Sequence, residues 1–134
     1  MYQVISVRVL REAFQTEALA GKLKRDYRLP IKPDVVREFP YAYQNGSLNC
    51  IRPVRFSADP KAIDVALRCG GEAVEIGRAS PTAQLVVIGG FGEGKGAAEM
   101  KRSVGAIFND FSVRLVGIGD LGTFADEIAR TAHS

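Results

Sequence analysis

The stretch Gly89-Gly90-Phe91-Gly92-Glu93-Gly94-Lys95-Gly96 sets closely spaced glycines ahead of a lysine. Such a turn lets backbone N–H groups converge, and a helix that follows adds the positive end of its dipole, which is how α/β proteins hold phosphates. Read from Gly89, the stretch has the G-x-x-x-x-G-K spacing of a P-loop, but Gly96 stands where a Ser or Thr hydroxyl would hold Mg²⁺. Read from Gly92, it fits G-x-G-x-x-A with Ala97 last, and Asp120 follows the next strand where a ribose-binding acid would be sought. A P-loop opens a sheet with several strands still to come, and here one remains. Gly90, Gly92, Gly94 and Lys95 are therefore candidate ligand-binding residues, with a flexible surface turn as the plainer alternative.

A second constellation is cationic. Residues 1–59 carry ten Lys/Arg against six Asp/Glu, and the remainder carries eight against nine, so the net charge of +3 belongs to the first half. Lys22, Lys24, Arg25, Arg28 and Lys32 are its densest part. They suit either the solvated end of a helix, complementing its dipole, or a patch that faces phosphates. Further on, Arg52 and Arg55 lie beside Asn49 and Gln44. If Arg52 shares a sheet face with Tyr41 and Tyr43, rings for stacking stand beside a guanidinium, which suits single-stranded nucleic acid or a peptide. A packed rim of Tyr and Arg is the alternative, and Glu72 and Glu75 read as a solvated helix face.

Other chemistries are poorly provided for. His133 is the single histidine, which removes histidine-based catalysis and any zinc site needing a second imidazole. Cys50 and Cys69 are 19 positions apart without CxxC spacing and read as free, partly buried thiols.

The elements that must position these residues follow from periodicity. Residues 3–9 alternate as a strand, though they also suit a helix that runs on. Ala13, Phe14, Ala18, Leu19 and Leu23 share one side of an amphipathic helix over 11–24. Pro30 and Pro33 make 26–34 an extended connection. Asn45-Gly46 is a two-residue type I′ turn between β-rich runs. It sets Tyr43 opposite Leu48, Tyr41 opposite Cys50 and Phe39 opposite Arg52. Pro40 and Pro53 lack a ladder donor, so each must lie at an edge, a bulge or a strand end.

Ser57-Ala58-Asp59-Pro60 starts a helix over 60–76 that buries Ile63, Ala66, Leu67, Ala73 and Val74. Gly70-Gly71 predicts a kink, a break or a close backbone contact within it. Gln84–Ile88 is a strand covered on both faces. A helix over 96–109 presents Met100, Val104, Ile107 and Phe108, and a strand spans Val113–Ile118. Thr123 with Asp126 approximates a capping box for a last helix that buries Phe124, Ala125, Ile128 and Ala129.

The order helix, hairpin, helix, strand, helix, strand, helix, over about residues 11–130, resembles the core of restriction-endonuclease-like domains, including members found in mobile-element proteins. That family places an acid on one strand and acid-x-Lys on the next, where the carboxylates hold Mg²⁺ and the lysine helps position the attacking water. Here Ser47–Phe56 contains neither an acid nor a lysine, and the other arm offers only Asp34 and Glu38. The resemblance thus implies the scaffold without the nuclease activity, and no catalytic residue is carried over.

With 46% apolar and 25% charged residues, the chain has ordinary globular composition. It contains no apolar run long enough to span a membrane and opens without a charged and then apolar leader, so a cytoplasmic, non-membrane protein is expected. The expected fold class is α/β: one domain over 1–134, or a terminal domain or fragment of a longer protein. It would hold a small mixed sheet with a β-hairpin at about 35–56 and a C-terminal βαβα unit at about 84–132. The expected function is a non-catalytic binding or interaction domain for nucleic acid or a protein partner, without cofactor or metal. A phosphate- or nucleotide-ligand domain using 89–96, and a homo-oligomeric assembly subunit, are the alternatives.

Overall fold

A computed structural model describes residues 7–57 and 61–133. One five-stranded mixed sheet forms its middle layer, in the spatial order β1 (Leu23–Lys32), β2 (Val35–Gln44), β3 (Leu48–Arg55), β4 (Ala83–Gly90), β5 (Arg114–Gly117). β1, β2 and β3 form an antiparallel meander, and β3, β4 and β5 run parallel. The parallel steps require crossovers, which α2 (Lys61–Ala79) and α3 (Lys95–Asp110) supply. Both pack on one face of the sheet, where Ala66, Cys69, Val104 and Phe108 meet Cys50, Val54, Leu85 and Val87. On the other face, α1 (Val7–Phe14) and α4 (Leu121–Thr131) bring Leu10, Phe14, Phe124 and Ile128 against Tyr41, Tyr43, Ile51, Val86 and Ile88. The alternation of β4 between the two cores explains its unbroken apolar run.

The N-terminal third departs from its periodicity. The strand expected over 3–9 is helix from Val7 onward, and its earlier residues lie outside the described ones. The helix expected over 11–24 stops at Phe14, and Leu19 is buried by a 3₁₀ turn at Glu17–Leu19. Gly21, at φ +77°, then turns the chain into β1. Leu19 and Leu23 still reach the core, one from a turn and one from a strand, so apolar spacing alone did not distinguish the two routes. The extended connection expected at 26–34 is most of the edge strand, where Pro30, opposite Val36, is tolerated because β1 has no outer neighbour.

The hairpin register differs by one residue. Tyr41 opposes Ile51, Tyr43 opposes Asn49 and Gln44 opposes Leu48, around a three-residue loop Asn45-Gly46-Ser47 with Gly46 at φ +99°. The buried Asn49 explains the choice: its Nδ2 donates to Asn45 Oδ1 at 2.9 Å and to the Ser47 carbonyl at 3.0 Å, tying the loop to the strand. Because side chains alternate, the shift sends Cys50 and Arg52 to the sheet face opposite Tyr41 and Tyr43.

The helix start expected at Ser57–Pro60 falls largely on residues outside the described ones, and α2 is described from Lys61. Its buried side is Ala62, Ala66, Cys69, Gly70, Glu72 and Ile76, while Leu67 and Val74 are 48% and 40% exposed. The helix runs unbroken through Gly70-Gly71. Gly70 serves as a close contact instead: a Cβ there would lie 2.5 Å from the Phe111 ring, whereas one on Gly71 would meet nothing within 4 Å. The last helix begins at Leu121, after a 3₁₀ turn at Ile118–Asp120, and has no side-chain cap. Thr123 is therefore inside its first turn rather than capping it, since an earlier start buries Leu121.

Gly70→Ala should destabilise the fold by about 1–3 kcal/mol despite alanine's better helix propensity, because the methyl overlaps the Phe111 ring. Urea unfolding of the variant measures it, and a gain in stability would contradict the packing described.

Candidate functional site

Pro40 and Pro53 decide where the sheet divides. The β2–β3 ladder ends at Tyr41 opposite Ile51, one step before Pro40. Neither proline has an N–H to carry the ladder further. Beyond that point the first half of β2 pairs only with β1, and the second half of β3 pairs only with β4. On β1, the pairing omits Asp26, which stands at φ +47° between the Arg25–Tyr41 and Tyr27–Phe39 pairs. Across this irregularity the hairpin changes faces. Tyr41 and Leu23 pack toward α1 and α4, whereas Phe39, Tyr27 and Leu29 pack toward α2.

Arg52 spans the resulting fork. Its Nη2 donates to the Glu38 carbonyl at 3.1 Å, while Nε and Nη2 donate to the Glu72 carboxylate at 2.6 and 2.9 Å. The guanidinium also lies 4.6 Å from the centre of the Phe39 ring. Arg37 adds a second tie, Nη2 to Glu75 at 2.8 Å. The distal arm of the β1–β2 hairpin is thereby fastened to α2 by charge-assisted hydrogen bonds. Glu72, with 3% of its side chain exposed, is not the solvated residue its sequence suggests.

On the α1 side, the fork opens into a cleft of about 180 Å³ lined by Arg11, Arg25, Asp26, Pro40, Tyr41 and Pro53, with Leu10 at its floor. Two further concavities adjoin it. One shares Arg25 and runs along Phe14–Gly21; the other shares Asp26 and Pro40 and reaches Arg28 and Glu38. Arg25 therefore stands between two clefts, and Arg11 and Arg25 form no ion pair among the described residues. Arg28 faces Glu38 at 3.4 Å across an exposed pair, which water and salt weaken.

The other residues singled out from sequence are dispersed. Lys22, in the turn just before β1, donates to the Ala129 carbonyl and so fastens the entry to β1 to α4. Lys24 is exposed, 5.6 Å from the Tyr27 ring centre, and Arg55 is exposed at the end of β3. Tyr41 and Tyr43 are 6% and 0% exposed, which overturns the pairing of stacking rings with Arg52. They are core residues against Phe14 and Phe124. The Tyr43 hydroxyl has no hydrogen-bond partner among the described residues, and burial raises its pKa. Nearby, Arg114 and Glu127 form a two-point pair at 2.6 and 2.8 Å that holds the Glu127 carboxyl below its usual range. Burial pushes the Cys50 thiol up to about 12, so it is no nucleophile at neutral pH.

Gly90 is a buried strand residue, and the turn proper is Phe91–Gly94, with Phe91 stacked on Phe56 at 4.9 Å. Gly92 and Gly94 have φ of +69° and +111°; Gly94 is the N-cap of α3 without a side-chain cap, and Lys95 is the first helical residue. The glycine turn and the cationic fork are separate features, and neither cleft at the fork includes a residue of the turn. Sequence reading missed Arg11 and Asp26. Asp26 carried no signal, since non-glycine residues with positive φ are uncommon. Among the described residues, no cluster of His, Cys, Asp and Glu is suited to a metal, and no helix is long and apolar enough to cross a membrane.

No protein-family model matches the chain, and no curated protein matches its sequence. Among solved structures, it is similar to protein VC1899 from Vibrio cholerae, with a TM-score of 0.54 at 12% identity over 90% of this chain. The likeness is one of fold, and the chain spans 31% of that protein's length.

Arg52→Met should cost about 3–5 kcal/mol, because it leaves the buried Glu72 carboxylate without its main partner. The double variant Arg52→Met/Glu72→Met should recover most of that loss. Chemical denaturation of the three proteins tests the fastening role, and equal losses in single and double variants would refute it.

Proposed function

We propose that the chain is a non-catalytic binding domain that takes a nucleic-acid backbone along β1 and into the fork. The observation that carries this reading is the placement of Arg11, from α1, and Arg25, from β1, in one cleft without ionic partners among the described residues, beside Lys24, Arg28 and Lys32 exposed along β1. Unneutralised guanidinium groups at a concave edge attract phosphates and release counterions when they bind. The restriction-endonuclease-like scaffold belongs to the same proposal. Its support is the element order, a helix, a strand meander, a helix and a parallel strand, with β1 an additional strand where a loop was expected. β3 carries no acid or lysine from Leu48 to Arg55, which supports binding without hydrolysis.

Fluorescence anisotropy with labelled single- and double-stranded DNA and RNA tests the proposal. Binding at micromolar concentration should weaken linearly on a log–log plot against salt. Arg11→Ala and Arg25→Ala should each lower the slope by about 0.7–0.9 and weaken all sequences alike. Lys95→Ala should leave binding unchanged. Absence of salt-sensitive binding to any of the four would refute it.

A second reading, a phosphate ligand on the glycine turn, is favoured by the uncapped start of α3 at Gly94 beside the carboxyl end of β4. A nucleotide bound there raises the melting temperature, and Lys95→Ala should abolish the rise. No shift at millimolar nucleotide would remove this reading.

A further inference from the structure

The outer face of α2 has a pattern that its own fold does not use. Positions 64, 67, 71, 74 and 78 recur at intervals of 3, 4, 3 and 4, the spacing of a helix–helix seam. All five residues, Asp64, Leu67, Gly71, Val74 and Arg78, are exposed, and they lie opposite the side that packs on the sheet. Leu67 and Val74 are among the large apolar side chains most open to solvent. A glycine inside a helix lowers its stability, and Gly71 makes no close contact in return, since beyond its chain neighbours and the helix's own backbone no atom lies within 4 Å of where its Cβ would be. Gly70 beside it is explained by Phe111, and Gly71 is not.

The charges at the ends of the seam are opposite, with Asp64 near the start of the helix and Arg78 in its last turn. Neither has an ion-pair partner among the described residues. An antiparallel pair of identical helices centred on position 71 sets Asp64 of each copy against Arg78 of the other and interleaves Leu67 with Val74. The two glycines then meet at the crossing, where the missing side chains allow close approach. A twofold interface has this self-complementary form, in which one surface serves both partners.

We propose that α2 is a homodimer surface, with a second copy of this chain packed antiparallel on the seam from Asp64 to Arg78. A single helix pair buries less than the roughly 1,200 Å² of a stable complex, so association falls in the micromolar range or weaker. The inference is independent of nucleic-acid binding, since the seam includes none of the cleft residues.

Sedimentation velocity of the whole chain over a wide concentration series tests it. The mass should rise from 14.5 kDa toward twice that value as concentration increases. Leu67→Glu should weaken association by about tenfold or more. Asp64→Arg and Arg78→Asp should each weaken it, because each sets like charges together, and the double variant should restore it. All three positions are exposed, so unchanged circular dichroism and melting temperature would show that the variants fold. A monomer up to submillimolar concentration would overturn the proposal. So would a dimer indifferent to Leu67→Glu, or a double variant that fails to recover.

Discussion

Two prolines without an N–H, one on each strand of a hairpin, set the shape of this molecule. Pro40 and Pro53 end the β2–β3 ladder after four residue pairs, and the sheet divides there because no backbone donor can carry it on. The Arg52 guanidinium restores across the gap what the backbone has lost, with one bond to a β2 carbonyl and two to Glu72 on α2. A side-chain connection at this point leaves room beside it, and the room is the cleft of Arg11 and Arg25. Cleft and division have one origin.

The two cores reflect the same constraint. The sheet is covered by α2 and α3 on one face and by α1 and α4 on the other, and a regular β1–β2 hairpin would have kept its side chains in step with both. Instead, the irregularity at Asp26 and Pro40 lets the distal arm turn its apolar residues toward α2. Phe39 and Leu29 thereby enter the α2 core while Tyr41 stays in the other. The hairpin gains burial at both ends by giving up regular pairing in the middle.

The second half was more legible than the first, for physical reasons. β4 has a run of apolar residues because it is buried on both faces, and α3 has helical spacing because it is amphipathic, so pattern and environment agree. In the first half, Leu19 and Leu23 have helical spacing but reach the core through a 3₁₀ turn and an edge strand. Asn45-Gly46 marked the turn correctly, yet the side chain of Asn49, bonded back to the loop, set a register that turn type alone did not contain. That single step reversed the reading of Arg52. A residue expected beside Tyr41 and Tyr43 lies on the opposite face, tied to Glu72, and the cationic surface falls to Arg25 and to an Arg11 that sequence did not single out.

The way the fork is fastened also distributes motion through the fold. The β3–β4–β5 unit is held by continuous parallel ladders and by helices on both faces. The distal arm from Tyr27 to Phe39 is joined to the remainder by its apolar contacts with α2 and by the ties of Arg52 and Arg37, without a ladder to β3. Detaching it breaks side-chain bonds and local burial but leaves every strand pair of the larger unit intact. Native proteins open along boundaries of this kind, in units smaller than the whole chain. The arm is thus held by side-chain ties and by the local burial of Phe39 and Leu29 rather than by strand pairing to β3, so its release does not require the sheet to open.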